Sequence, residues 1–228
     1  MSPKYPRTFH FSFSHGATND DKISTDISRL INIPIILTEK CDGGNASLET
    51  NGCYARTHAG PPTHASFDLL KSFHSSVKHL IPDNIQLFGE NMYALHSIAY
   101  DALPGYFLLF NVAQVSYNRS KTIVNKSARA WMSWDTIELW AEKIGVPTVP
   151  ILFKGEVSSE KELKELVESL MLQPSCCGGI REGVVARTAE GFLEGDFPVC
   201  MAKCVRANHV ISDEHWAHKE IIKNKLRT

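Results

Sequence analysis

The chain has 228 residues, enough for one large or two small domains with a sizeable core. Hydrophobic residues make up 43% and charged residues 21%, the mix of a soluble globular protein, and no run of about 18 apolar residues occurs that could form a transmembrane helix. The formal net charge of −1 does not draw polyanions to the chain as a whole, so contact with nucleic acid has to come from a local basic patch.

Residues 1–25 carry Pro3, Pro6, Gly16 and Asn19-Asp20-Asp21, which predict an extended segment and a turn. Lys4, Arg7 and His10 are within reach of a ligand here but read first as solvated surface. Met1 to Gly16 has no apolar h-region, so neither a signal nor a transit peptide is expected. The six cysteines show no Cys-x-x-Cys spacing, which fits reduced thiols and a cytoplasmic setting.

The apolar run from Ile31 to Leu37 predicts a buried strand that delivers Glu39-Lys40-Cys41-Asp42-Gly43 at its end. A lysine there is placed as a nucleophile, and the following Gly43-Gly44 lets backbone approach a phosphate. Asn51-Gly52 predicts a tight turn into Cys53-Tyr54-Ala55-Arg56. Ser66 to Leu80 predicts a helix, with Ser66 as cap and Leu69, Leu70, Phe73, Val77 and Leu80 as its apolar stripe. Gln86 to Glu90 and Tyr106 to Val112 predict strands.

The stretch 114–129 loses the apolar pattern and carries Arg119, Lys121, Lys126 and Arg129 without an acidic residue. It reads as a solvated loop, or as a positive rim for a phosphate backbone. Asp135 with Glu138 predicts a capped helix ending at Gly145, and Ser159 with Glu162 predicts another, with Leu163, Leu166, Val167 and Leu170 inward. Strands over Arg181 to Thr188 and Val199 to Arg206 follow a Cys176–Gly179 turn, and a polar helix is predicted from Asp213. No repeat or linker interrupts this series, so one α+β domain is expected over residues 1–228.

Five stretches carry the chemistry: Lys40-Cys41-Asp42-Gly43, Phe88-Gly89-Glu90-Asn91, Phe107-Leu108-Leu109-Phe110, Arg181-Glu182-Gly183-Val184-Val185 and Met201-Ala202-Lys203-Cys204-Val205-Arg206. In that order and spacing they resemble the covalent lysyl-nucleotidyltransferases: ATP-dependent DNA and RNA ligases and mRNA-capping guanylyltransferases. With Tyr54-Ala55-Arg56 and the tail from Lys203 to Trp216, the chain is most similar to the ATP-dependent RNA ligase family. The resemblance implies an adenylation domain of the DNA-ligase, ATP-grasp-like kind, with antiparallel sheets flanked by helices.

It further implies that Lys40 attacks the α-phosphate of ATP and becomes lysyl-AMP, that AMP passes to an RNA 5′-phosphate end, and that a 3′-OH then seals the strand, as in RNA repair. Glu39 would lie at the adenine edge, Asp42 within the nucleotide site, Arg56 at ribose and phosphate, Glu90 at ribose, and Phe110 stacked on adenine with Phe107 as the alternative. Glu182 would hold Mg²⁺ or Mn²⁺, and Lys203, helped by Arg206, would contact the α-phosphate. Val205 stands where relatives often carry a second lysine. For Lys40 to act, its pKa must fall below the usual 10.4, with Lys203 among the groups that push it down.

Little chain follows Arg206, so no C-terminal OB-fold is expected, which counts against a DNA ligase or a guanylyltransferase core and leaves DNA ends and an end-binding partner protein as open alternatives. A non-catalytic nucleotide- or RNA-end-binding module stays open as well. Cys41 reads as a packing residue with a second possibility, an oxidation-sensitive thiol in a cationic setting. His215 and His218 read as surface or packing residues.

Overall fold

The computed structural model describes residues 4–57, 60–116, 128–207 and 221–228. In chain order its strands and helices are β1 (Phe9–His10), β2 (Ile35–Lys40), β3 (Gly44–Glu49), β4 (Gly52–Ala55), α1 (Asp68–Val77), β5 (Ile85–Asn91), β6 (Phe107–Ser116), β7 (Ala128–Trp131), α2 (Trp134–Ile144), β8 (Ile151–Gly155), α3 (Glu160–Met171), β9 (Gly183–Thr188), β10 (Phe192–Leu193), α4 (Phe197–Cys200) and β11 (Met201–Val205). The two sheets run β1-β11-β9-β2-β8 and β10-β7-β6-β5-β3-β4. Every pairing is antiparallel except β1 with β11. This is the α+β architecture expected, with helices on the sheets.

The sheets pack through three apolar clusters. Leu70 and Val77 of α1 and Ile137, Ala141 and Ile144 of α2 pack with Leu48, Leu87, Leu108 and Val112 of the second sheet. Leu163, Val167 and Leu170 of α3 cover Leu37, Val184 and Ala202 of the first. Between the sheets Tyr5, Phe88, Trp131, Phe197 and Met201 form an aromatic joint, with the Tyr5 ring 5.1 to 5.6 Å from four others. Such tilted and edge-on ring pairs add to area burial.

Helix ends depart from expectation at two places. Ser133, not Asp135, caps α2, accepting from Thr136 N–H, because its extended backbone points the hydroxyl at the first turn. Gly145 closes that helix in the left-handed region at φ 72°, as expected. Ser66 does not cap α1: it lies inside a short 3₁₀ turn, where its N–H donates to the His64 ring. Leu69 is exposed, so the stripe of α1 is Leu70, His74 and Val77. Ser159 caps α3 as read, accepting from Glu162 N–H.

Arg129 is not in a solvated loop. It is buried on β7, donating to both Glu194 oxygens at 2.6 and 3.0 Å and to the Lys4 carbonyl. Arg119, Lys121 and Lys126, and the helix expected from Asp213 with His215 and His218, lie outside the described residues. Among the described residues no helix is long and apolar enough to cross a membrane.

Candidate active site

Three neighbouring strands of the first sheet bring the chemistry together. Lys40, last on β2, stands opposite Gly183 on β9, and on the far side of β9 Lys203 of β11 stands opposite Val185. Gly183 has to be glycine, since a Cβ there would lie 2.4 Å from the Cys204 carbonyl oxygen. That close approach sets Glu182 at the end of β9, where its carbonyl accepts from Arg206 N–H and its carboxylate takes Lys40 with both oxygens, at 2.7 and 2.8 Å.

Burial alone would lower the pKa of the Lys40 ammonium, but Glu182, with Glu90 and Asp42 behind it, more than offsets this and raises it above the usual value. Lys40 thus does not rest as the depressed-pKa amine expected. The depressed amine is Lys203, brought down to about 8 by burial and by the positive charge of Lys40. Glu90 is pushed up to about 8, chiefly by burial and further by Glu182 and Asp42, against the pull of Lys40.

Glu39 is 1% exposed. Its Oε2 accepts from Cys176 N–H at 2.9 Å and lies 3.5 Å from the Arg181 guanidinium, while Oε1 has no hydrogen-bond partner among the described residues. The residue lines a cavity of about 670 Å³ between the sheets. A buried carboxylate oxygen left unpaired at a cavity wall is an acceptor held ready for a ligand N–H.

Other walls of that cavity are Lys40, Gly43, Gly44, Arg56, Glu90, Phe110 and Lys203, so with Glu39 six of the nine expected site residues share it. Gly43 is required by packing as well as access, since a Cβ would lie 2.7 Å from the Asn91 carbonyl.

Phe110 owes its position to a β-bulge. The register passes from Phe88 opposite Asn111 to Gly89 opposite Leu109, so Phe110 is the extra residue of β6. Bulges re-aim a side chain in this way. Phe107 is buried against Gly89, where a Cβ would meet its ring at 2.3 Å, and belongs to the core.

Three expected site residues stand elsewhere. Asp42 does not line the cavity: its Oδ2 accepts from Ser97 and Ile98 N–H at 2.7 and 3.0 Å, and its own N–H donates to Tyr100. It fastens a loop behind Lys40. Arg206 does not line it either, and its Nε is buried without a hydrogen-bond partner among the described residues. Glu182 stands behind Lys40 rather than on the wall. Cys41 is 4% exposed beside Cys177, and that thiol, burial, Glu39 and Glu90 together push its pKa well up, so it is a packing residue and not a cation-activated thiol.

Residues beyond those expected also shape the site. Arg187, 1% exposed, donates to Asn111 Oδ1 at 3.0 Å and to the Met132 carbonyl at 2.5 Å and lines the cavity with Tyr5 and His96. An arginine inside the run Val184-Val185-Ala186-Arg187 is the signal that could have revealed it: a buried charge in a strand needs a purpose. Tyr5 reaches the site from the chain start, which local pattern does not disclose. No group of three or more His, Cys, Asp or Glu able to hold a metal alone occurs among the described residues. Glu182 nevertheless carries hard oxygens of the kind that Mg²⁺ or Mn²⁺ takes, with phosphates to complete the shell.

No curated protein matches the chain in sequence. Among solved structures, it is similar to a Naegleria gruberi RNA ligase variant with ATP and Mn, at TM-score 0.52 and 15% identity over 89% of this chain and 57% of that one. It is equally similar to a putative ATP-dependent DNA ligase from Aquifex aeolicus, at TM-score 0.52 and 17% identity over 89% of this chain and 50% of that one. Identities this low carry the fold alone, and the chain spans about half the length of these ligases. The RNA ligase family model matches residues 33–205, the span that contains Lys40, Glu182 and Lys203, and by that match the chain belongs to the RNA ligase family.

Proposed function

We propose that this chain is the nucleotidyltransferase domain of an ATP-dependent RNA ligase, with Lys40 as the residue that takes AMP. The observation that carries the reading is the gathering of Lys40, Lys203, Arg56, Glu90, Phe110 and the unpaired Glu39 oxygen around one cavity. Its volume of about 670 Å³ suits a nucleotide.

Each wall has a task. Phe110 offers a ring to the base, and Glu39 Oε1 accepts from an exocyclic amine. Glu90, protonated below about pH 8, can donate to or accept from a ribose hydroxyl. Arg56 and Lys203 meet phosphate oxygens, Arg56 with the planar fork that suits them. Lys203 gives up part of its charge when the cavity is empty and regains it beside a phosphate.

Lys40 cannot attack while Glu182 holds it as an ammonium. Glu182 would hold a divalent cation that comes with the phosphates, and the cation would supply positive charge to its carboxylate and to the phosphoryl oxygens. With that ion pair released and the side chain still desolvated beside Lys203, the amine gives its proton to solvent and bonds to the α-phosphorus as the bond to the bridging oxygen breaks and pyrophosphate leaves. The AMP it acquires then goes to the 5′-phosphate end of an RNA strand, which a 3′-OH seals.

Incubation with α-labelled ATP and Mg²⁺ or Mn²⁺ should label the protein, and Lys40→Ala should abolish the label. No label with any divalent cation contradicts the proposal. A panel of 5′-phosphorylated RNA and DNA ends then assigns the strand, with RNA ends expected to discharge the label.

A further inference from the structure

A second cavity of about 590 Å³ adjoins the first, and the two share Tyr5, Pro6, Thr8, Arg56, Thr57 and Lys203 as walls. The outer one is closed by the N-terminal strap. β1 lies along β11 with His10 opposite Lys203, Phe11 N–H donates to the Lys203 carbonyl, and the strap returns so that His10 N–H donates to the Lys22 carbonyl. The strap is thereby fastened beside Lys203, and Lys4, Arg7 and Lys22 on its two arms face the outer cavity.

Six cations and three carboxylates line this space. Arg129 is matched by Glu194, which also accepts from Trp131. The Asp21 carboxylate is engaged by Thr18 through N–H and hydroxyl and by His10 at 3.4 Å. Asp20 is exposed, and Arg7 reaches only its backbone carbonyl, at 3.4 Å. Lys4, Arg7, Lys22, Arg56 and Lys203 thus outweigh the remaining negative charge, in a cleft that concentrates their field.

Lys40 lines the inner cavity and not the outer one, and the two meet at Arg56 and Lys203, so an anion in the outer one lies on the far side of those cations from the Lys40 wall. When the Lys40 nitrogen bonds to the α-phosphorus, the bond to the bridging oxygen breaks and its electron pair leaves with pyrophosphate on the opposite side. In the next step an oxygen of the 5′-phosphate bonds to that phosphorus from the side opposite the lysine, and the Nζ–P bond breaks with the nitrogen taking up a proton. Leaving group and incoming end therefore use the same side.

We propose that the outer cavity is a phosphate subsite built by Lys4, Arg7 and Lys22 of the N-terminal strap, holding pyrophosphate in the first step and the strand's 5′-phosphate in the second. This rests on the ligase reading above.

The test is the full chain carrying Lys4→Ala, Arg7→Ala and Lys22→Ala together; all three side chains are exposed, so the fold should survive. Protein labelled with AMP is treated with inorganic pyrophosphate in one arm, and with 5′-phosphorylated or 5′-hydroxyl RNA in the other. The triple variant should need about tenfold more pyrophosphate for half-maximal label release, and about tenfold more 5′-phosphorylated RNA, with AMP affinity unchanged. A shift in one arm alone supports the subsite and assigns it to that source. Unchanged dependence in both arms overturns it. Calorimetry with pyrophosphate on unlabelled protein separates this from the ligase reading: binding lost in the triple variant supports the subsite even where no label forms, and equal binding in both proteins overturns it.

Discussion

Lys40 and Glu182 form a two-oxygen ion pair, with Nζ at 2.7 and 2.8 Å and only 4% of the Glu182 side chain exposed. In the empty site Lys40 is therefore held as an ammonium. Glu182→Gln should free the amine. At pH 8 without nucleotide, an amine-directed reagent should modify Lys40 about tenfold faster in that variant, since each unit of pKa is tenfold in free amine. Mass spectrometry of the Lys40 peptide reads this, and equal rates would show that the ion pair does not control the amine.

Lys203 should set a pH limit on nucleotide binding. Its pKa of about 8 in the free protein means that the ammonium is present below pH 8 and lost above it. Affinity for an ATP analogue with a methylene between the α- and β-phosphates should hold to pH 7 and weaken from pH 8 to 9. Because the Lys40 charge depresses Lys203, Lys40→Ala should move that limb to higher pH. Fluorescence titration of both proteins checks the direction.

Glu90 gives a stability prediction of its own. Its pKa rises to about 8 on folding, so between about pH 4.5 and 8 the folded chain holds a proton that the unfolded chain has released. The contribution of Glu90 is therefore most favourable at low pH and falls as pH rises through that window. Glu90→Gln should be close to wild type in melting temperature at pH 5 and gain on it steadily to pH 8. A constant difference across that range would contradict the cause assigned here.

The two phenylalanines of β6 should separate cleanly. Phe107→Ala empties a core position against Gly89 and should cost about 3–5 kcal/mol of stability. Phe110→Ala should leave urea unfolding little changed and weaken nucleotide binding by about 1–3 kcal/mol, the scale of base stacking on an aromatic ring.

Arg181 and Glu39 are 2% and 1% exposed and face each other. Arg181→Leu alone should cost about 3–5 kcal/mol, because a buried carboxylate loses its counter-charge. Adding Glu39→Leu should recover much of that loss while removing nucleotide binding. Urea unfolding of the two single variants and the double variant measures the coupling.

Much of this was legible in the chain itself. Lys40 at the end of an apolar run, Asn51-Gly52 and Ser159 with Glu162 act through neighbours a few residues away, so local pattern carries them. Glu39, Arg56, Glu90, Phe110 and Lys203 came with the order of the motifs, and all five stand on the cavity with Lys40. What local pattern could not hold was set by distant partners. Asp42 faces away because the N–H groups of Ser97 and Ile98 claim it. Arg129 is buried because Glu194, far along the chain, meets it. The rise in the Lys40 pKa depends on Glu182, 142 residues away. The bulge at Phe110 exists only in the pairing of two strands.

The central claim is that Lys40 takes AMP. The direct measurement is mass spectrometry of peptides from the full chain after incubation with ATP and Mg²⁺ or Mn²⁺. An AMP adduct on the peptide carrying Lys40, absent from Glu39-flanking peptides of Lys40→Ala protein, is the predicted result. An unmodified Lys40 under conditions where ATP binds, or an adduct on another lysine, would contradict it.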